Sequence, residues 1–221
     1  MTHYLPILTT VLSILFATSL YRRWRARGAP HLWWWAAGIT TYGLGTAIES
    51  AITLFGNSIA LTKVWYIAGA LLGGYPLAQG SLFLSWPRPF AKRLTVFTVT
   101  FVILAAIFVV LSPVNLAALE PDRPSGSILA WRWIRLMTPV INLYAVFFLI
   151  GGALRSAWRH YRVGGHRYRA AGNALIAAGA IMPGIGGAFA KAGHVEVLYV
   201  GECIGIMVIW LGDRVCSLER T

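Results

Sequence analysis

The chain is poor in charge and poorer still in acid. Only 12% of its 221 residues are charged, with seven Asp and Glu against nineteen Lys and Arg. Soluble domains carry about 25% charged residues, so a chain that is 57% hydrophobic with a mean hydropathy of +0.66 is expected in lipid. The scarcity of acid leaves no cluster to hold magnesium and a diphosphate, as prenyl transfer requires. The five histidines (His3, His31, His160, His166 and His194) all lie at ends or in loops. That excludes a haem ligated inside the bundle and a His-rich zinc site. No Lys-Ser/Thr follows the glycine pairs Gly73-Gly74 and Gly151-Gly152, so neither forms a phosphate loop. Residues 196–213 hold no lysine for a retinal Schiff base. Cys203 and Cys216 stand thirteen residues apart on one apolar stretch, about 20 Å along a helix. They are too far apart to bridge, and both read as buried apolar thiols. No catalytic residue, metal or cofactor is expected, and the chain reads as non-enzymatic.

What is present is a run of seven apolar segments, roughly 4–20, 32–55, 62–86, 94–112, 130–154, 170–190 and 196–213. A membrane span needs about 20 mostly apolar residues, so seven spans consume most of the chain and leave one membrane domain over 1–221. Fourteen of the nineteen basic residues follow the odd-numbered segments, in the groups Arg22–Arg27, Arg88–Arg93, Arg155–Arg169 and Arg214 with Arg220. The even-numbered segments are followed by no basic residue in 56–61, by Arg123 in the Pro-rich 113–129, and by Lys191 in 191–195. Basic loops stay cytoplasmic. The fold class is therefore an all-α, seven-transmembrane-helix bundle with its N-terminus outside and its C-terminus cytoplasmic, multi-pass in a plasma (inner) membrane. The N-terminal flank Met1-Thr2-His3-Tyr4 lacks a basic region, so segment one reads as a span and not as a cleaved signal. The net charge of +12 sits in short loops on one face, where anionic lipids attract it; no nucleic-acid partner is expected.

Ionisable residues within spans are costly and point to a site. Glu49 falls about 10 Å below the outer end of segment two, and Glu202 about 9 Å below that of segment seven, at 1.5 Å per residue. Arg132 and Arg135 enter segment five from outside, on a stripe with Pro139 and Asn142. Lys63 and Lys191 stand at the outer ends of segments three and six, and Tyr66 and Tyr199 can reach inward from the outer ends of segments three and seven. These residues share one outer layer. The expectation is an outward polar pocket bounded by Glu49, Arg135 and Glu202, with Lys63, Arg132 and Lys191 at its rim. The competing structural reading has the three rim bases reaching headgroups and the acids holding helices together. Segment four, uncharged, is expected to face lipid. Segment six is rich in Ala and Gly, which permit close helix approach. It is expected at the centre of the bundle, with a hinge at Pro183 and Gly184.

The run Trp35-Ala36-Ala37-Gly38 through Tyr42, Gly43 and Glu49-Ser50, then Lys63-Val64-Trp65-Tyr66-Ile67-Ala68-Gly69, resembles the seven-helix sensor region at the N-terminus of bacterial histidine kinases and diguanylate cyclases. The likeness covers about residues 33–86. It implies ligand sensing by a helical bundle coupled to a cytoplasmic effector. The sequence stops at Thr221 with no kinase or cyclase output, so a signal would pass to a separate effector docking on the basic loops. The expected function is a receptor-like sensor for an unknown small ligand, with membrane lipids as surroundings. Two other readings stay open. One is a small transporter or channel, favoured by a polar path through Asn142, Gln79 and Asn173. The other is an accessory subunit of a larger membrane complex.

Overall fold

The computed structural model describes residues 2–163 and 166–218; Arg220 and two positions of the basic stretch 155–169 lie outside them. Among the described residues the long elements are helices and no strand forms. Helix α1 spans Leu5–Arg27 and α2 spans Pro30–Phe55. Segment three is composite, with α3 at Ile59–Trp65, a π-helical stretch at Tyr66–Leu71, and α4 at Tyr75–Ser85. Helix α5 covers Arg88–Leu111. Segment five joins α6, Ile134–Ala145, through a second π-helical stretch, Val146–Gly151, to α7, Gly152–Val163. Helices α8, Arg167–Lys191, and α9, Val195–Ser217, complete the bundle.

Six of these seven helical segments are long and apolar enough to cross a membrane, which makes the chain a multi-pass helical membrane protein. The exception is α2, which has the length, 26 residues, but not the apolarity. Its Thr46, Glu49 and Ser50 are polar, yet all three are buried where α2 packs against α1 and α4. A helix whose polar groups face other helices needs less apolar surface than one that faces lipid.

Sequence punctuation sets the helix ends. Gly28 closes α1 at φ 63°, a left-handed conformation that favours glycine, and donates its N–H to the Trp24 carbonyl. Pro30, Pro76 and Pro89 occupy the first turns of α2, α4 and α5, where the missing N–H costs nothing. Pro76 also explains the break in segment three. It has no N–H for the carbonyl of Leu72, four residues earlier, and the Thr41 hydroxyl donates to that carbonyl instead at 3.3 Å. A break at membrane depth is tolerated when its freed groups are satisfied in this way.

Segment three, 56% buried, runs through the middle of the bundle, whereas α5 and α8 are each 17% buried. Segment four is thus largely unburied, and segment six is peripheral, not central. Its glycines bring α8 close to one partner, α9. A Cβ on Gly179 would lie 2.7 Å from the Gly205 carbonyl oxygen, and one on Gly172 would lie 2.6 Å from that of Gly212. Gly186 meets the Leu198 backbone in the same way at 2.7 Å. These three positions, seven residues apart, form an antiparallel seam of backbone on backbone. Helix α8 is continuous through Pro183, whose ring packs at Gly205, while Gly184 and Gly187 face open space.

Two contacts gather the basic stretches on one face. Arg23, after segment one, pairs with Asp213 near the end of α9 at 2.5 Å. Arg155, at the end of segment five, stacks over the Trp86 ring that closes segment three. The opposite face carries the folded loop 113–129.

Candidate functional site

The loop 113–129 caps the helix ends opposite the basic stretches. Asn57 fastens it, donating its side-chain N–H groups to the carbonyls of Glu120 at 2.7 Å and Arg123 at 2.9 Å. Its backbone N–H donates to Pro121 at 3.1 Å. Ile128 and Leu129 enter the core beside Tyr66 and Ile134, and Gly126 lies against the Tyr66 ring. Arg123 pairs with Glu120, and that hydrogen bond raises the guanidinium further above its ordinary range. Lys63 donates to the last carbonyls of α5, Val110 and Ser112, each at 2.8 Å. It therefore works as a helix C-cap rather than as part of a pocket rim.

Beneath this cap, α2, α3 and α9 bring Glu49 and Glu202 together. Glu49 is 1% exposed. Its Oε1 accepts from the Trp65 indole N–H at 2.7 Å. The two carboxyl groups interact directly, yet the Oε2 of each is buried and has no donor. Among the described residues neither forms an ion pair with Lys or Arg. Two tyrosines close the site. Tyr42 donates to the Glu202 backbone carbonyl at 2.9 Å, and buried Tyr199 lies within electrostatic reach of Glu49, Glu202 and Arg123. The layer is thus two carboxyls held among Trp65, Tyr42 and Tyr199. Two carboxylates side by side without a counter-charge are strongly disfavoured in low dielectric, a cost that protonation of the pair or a bound cation would relieve.

Other residues expected in this layer lie elsewhere. Arg135 and Arg132 are exposed and line a separate cavity beside the loop; the field of Arg135 falls on Tyr66. Adjacent Trp65 and Tyr66 point to different partners, because the Tyr66 hydroxyl bonds Thr138 of α6 at 2.8 Å. Lys191 is exposed in the last turn of α8. The mixed-charge pocket of Glu49, Arg135 and Glu202 is therefore not assembled, since Arg135 faces the loop cavity. Tyr42 and Trp65 are the partners that residue type alone did not single out, although both stand in the aromatic runs of segments two and three.

The half of the bundle toward the basic stretches holds a different arrangement. Glu202 and Asp213 are eleven residues apart, three helical turns, so they share one face of α9. Ile206 and Ile209 fill that face between them, and Ile206 is 1% exposed. A cavity of about 60 Å³ lies near Asp213, lined chiefly by apolar groups such as Phe16, Leu20, Ile39 and Leu77, with Asn173 and Asp213 at one end. Gln79 is fully buried but satisfied, donating to Tyr75 and Thr98 at 2.7 Å each and accepting from Thr95 at 3.2 Å. Asn142 is exposed on α6, and Asn173 bonds the Arg169 carbonyl at 2.8 Å. These three do not join into a path. Cys203 is buried, as expected, but Cys216 is partly exposed beside Asn173.

Comparison with protein-family models, with curated proteins and with solved structures found no match.

Proposed function

We propose that the chain is a non-enzymatic, receptor-like membrane bundle that binds a small cationic ligand, from a proton to a small amine, at Glu49 and Glu202. The observation that carries this reading is the pair of carboxyls whose Oε2 atoms are buried and lack donors and which have no basic partner among the described residues. The aromatic rings of Trp65, Tyr42 and Tyr199 suit the same class of ligand, because ring faces attract cations. In this proposal all seven helices span a plasma (inner) membrane, with the N-terminus outside and the C-terminus cytoplasmic. The clustering of basic stretches on one face supports that orientation, and it sets the acid pair in the outer half. Binding there would draw α2 and α9 together, and α9 carries the change to Asp213 and the basic face, where a separate effector docks. The resemblance of residues 33–86 to bacterial sensor regions fits this reading. Transport is the second reading, favoured by the broken segment three, since discontinuous helices often line transport sites. Ile206 and Ile209 weigh against it, because they block the face between Glu202 and Asp213.

Two experiments test the proposal. In protein without native cysteines, Ser125→Cys should react with an impermeant maleimide in intact cells, and Arg159→Cys only after permeabilisation. The reverse pattern contradicts the orientation. For the site, a hydrophobic carbodiimide should modify Glu49 or Glu202, and methylammonium or sodium should protect. Labelling of neither carboxyl contradicts an accessible acid pair.

A further inference from the structure

Outside the acid pair, the outer face carries a second constellation of opposite charge. Arg132 and Arg135 stand one turn apart at the start of α6 and line a cavity of about 520 Å³ with Asn115 and Ser127. Among the described residues neither arginine is in an ion pair; of the two acids in the loop above, Glu120 is taken by Arg123, and Asp122 is exposed and pairs with neither arginine. The first turn of α6 contains no acid. The cavity wall is built rather than loose. The Asn115 N–H donates to the Ile128 carbonyl at 2.9 Å, and the Ala130 N–H donates to that of Pro113 at 3.0 Å. Ser127 is held in turn by Ser125 and the Ala118 carbonyl.

We infer that this cavity binds a phosphate-type oxyanion. Two guanidinium forks offer several N–H donors suited to two oxygens of one tetrahedral anion, and the Asn115 side-chain amide adds a neutral donor on the loop side, while the Ser127 hydroxyl, donating to the Ala118 carbonyl, fixes the wall. The position at the outer ends of the helices allows two sources of the same chemistry, a lipid headgroup phosphate or a free phosphate from solution. An arginine pair that merely reached for headgroups would not need a wall of fixed polar loop groups on its other side.

The test uses the full chain in nanodiscs and reads the unfolding temperature. In zwitterionic discs, inorganic phosphate is added at constant ionic strength; in parallel, phosphatidylglycerol replaces part of the lipid without added phosphate. The wild type should gain several degrees in at least one arm, and Arg132→Gln/Arg135→Gln should lose that gain while unfolding normally without the probe. Arg159→Gln, on the basic face, should retain it. A gain in the first arm assigns the free anion, and a gain in the second alone assigns the headgroup. No gain in either arm, or a gain that survives the double substitution, overturns the inference. If the double variant unfolds early, Asn115→Ala provides the second readout, with a reduced gain expected and an unchanged one counting against the site.

Discussion

The seam between α8 and α9 positions Glu202, and Gly179→Ala tests how tightly. The new methyl would sit 2.7 Å from the Gly205 carbonyl oxygen and 2.9 Å from the Ile209 side chain and backbone nitrogen. Ordinary contact lies near 3.5 Å, so the two backbones must part by somewhat less than 1 Å. Overpacking of this kind costs about 1–3 kcal/mol. Part of that is offset, because Ala in a helix interior is favoured over Gly by roughly 0.5–1 kcal/mol. The net expectation is a loss of about 1–2 kcal/mol, which for a chain of this size lowers the unfolding temperature by roughly 2–8 °C. Gly184→Ala is the matched control on the same helix, since its Cβ meets nothing within 4 Å; it should leave stability unchanged or raise it by about 0.5 kcal/mol. The assay is thermal unfolding in nanodiscs, followed by the intrinsic fluorescence of the tryptophans. Equal behaviour of the two variants would refute a close-packed backbone seam.

Other outcomes follow from single contacts. Asn57→Ala removes the bonds to Glu120 and Arg123, so limited proteolysis should cut the 113–129 loop several-fold faster with the helices intact. Lys63→Met leaves the Val110 and Ser112 carbonyls without their donor and should cost about 1–3 kcal/mol in the same unfolding assay. Arg23→Gln strands the largely buried Asp213 and should destabilise by roughly 1–3 kcal/mol, most of which Arg23→Gln/Asp213→Asn restores. A double variant no better than the single would show that charge at Asp213 is not the cause.

The helical class was plain from composition and apolar run length, because both depend on local sequence alone. Depth along a helix was nearly as plain: counting residues from the loops placed Glu49 and Glu202 at similar levels. Azimuth around each helix was not. Arg135 shares that depth, yet it faces the loop cavity while the acid pair lies between α2 and α9, and no single helix records its neighbours' directions. The effect of a proline also depends on neighbours: Pro183 stands within a continuous helix with its ring against Gly205. Pro76 marks a real break because Thr41, 31 residues away in the chain, is in place to satisfy the Leu72 carbonyl. Asn57 gave no periodic or charge signal, since its importance comes from the loop carbonyls it reaches across more than sixty positions.

In the proposed function, Glu49 and Glu202 take a positive charge from outside the chain. Its most direct test is the unfolding temperature of wild type and Glu49→Gln/Glu202→Gln in nanodiscs, over a series of pH and of sodium and methylammonium concentrations at fixed ionic strength. The wild type should be stabilised by added protons or by one of the two cations. The double variant, which keeps the shape of both side chains and the acceptor for Trp65, should lose that response and match or exceed the unliganded wild type. A variant that responds as the wild type does, or a wild type indifferent to all three cations, contradicts the account.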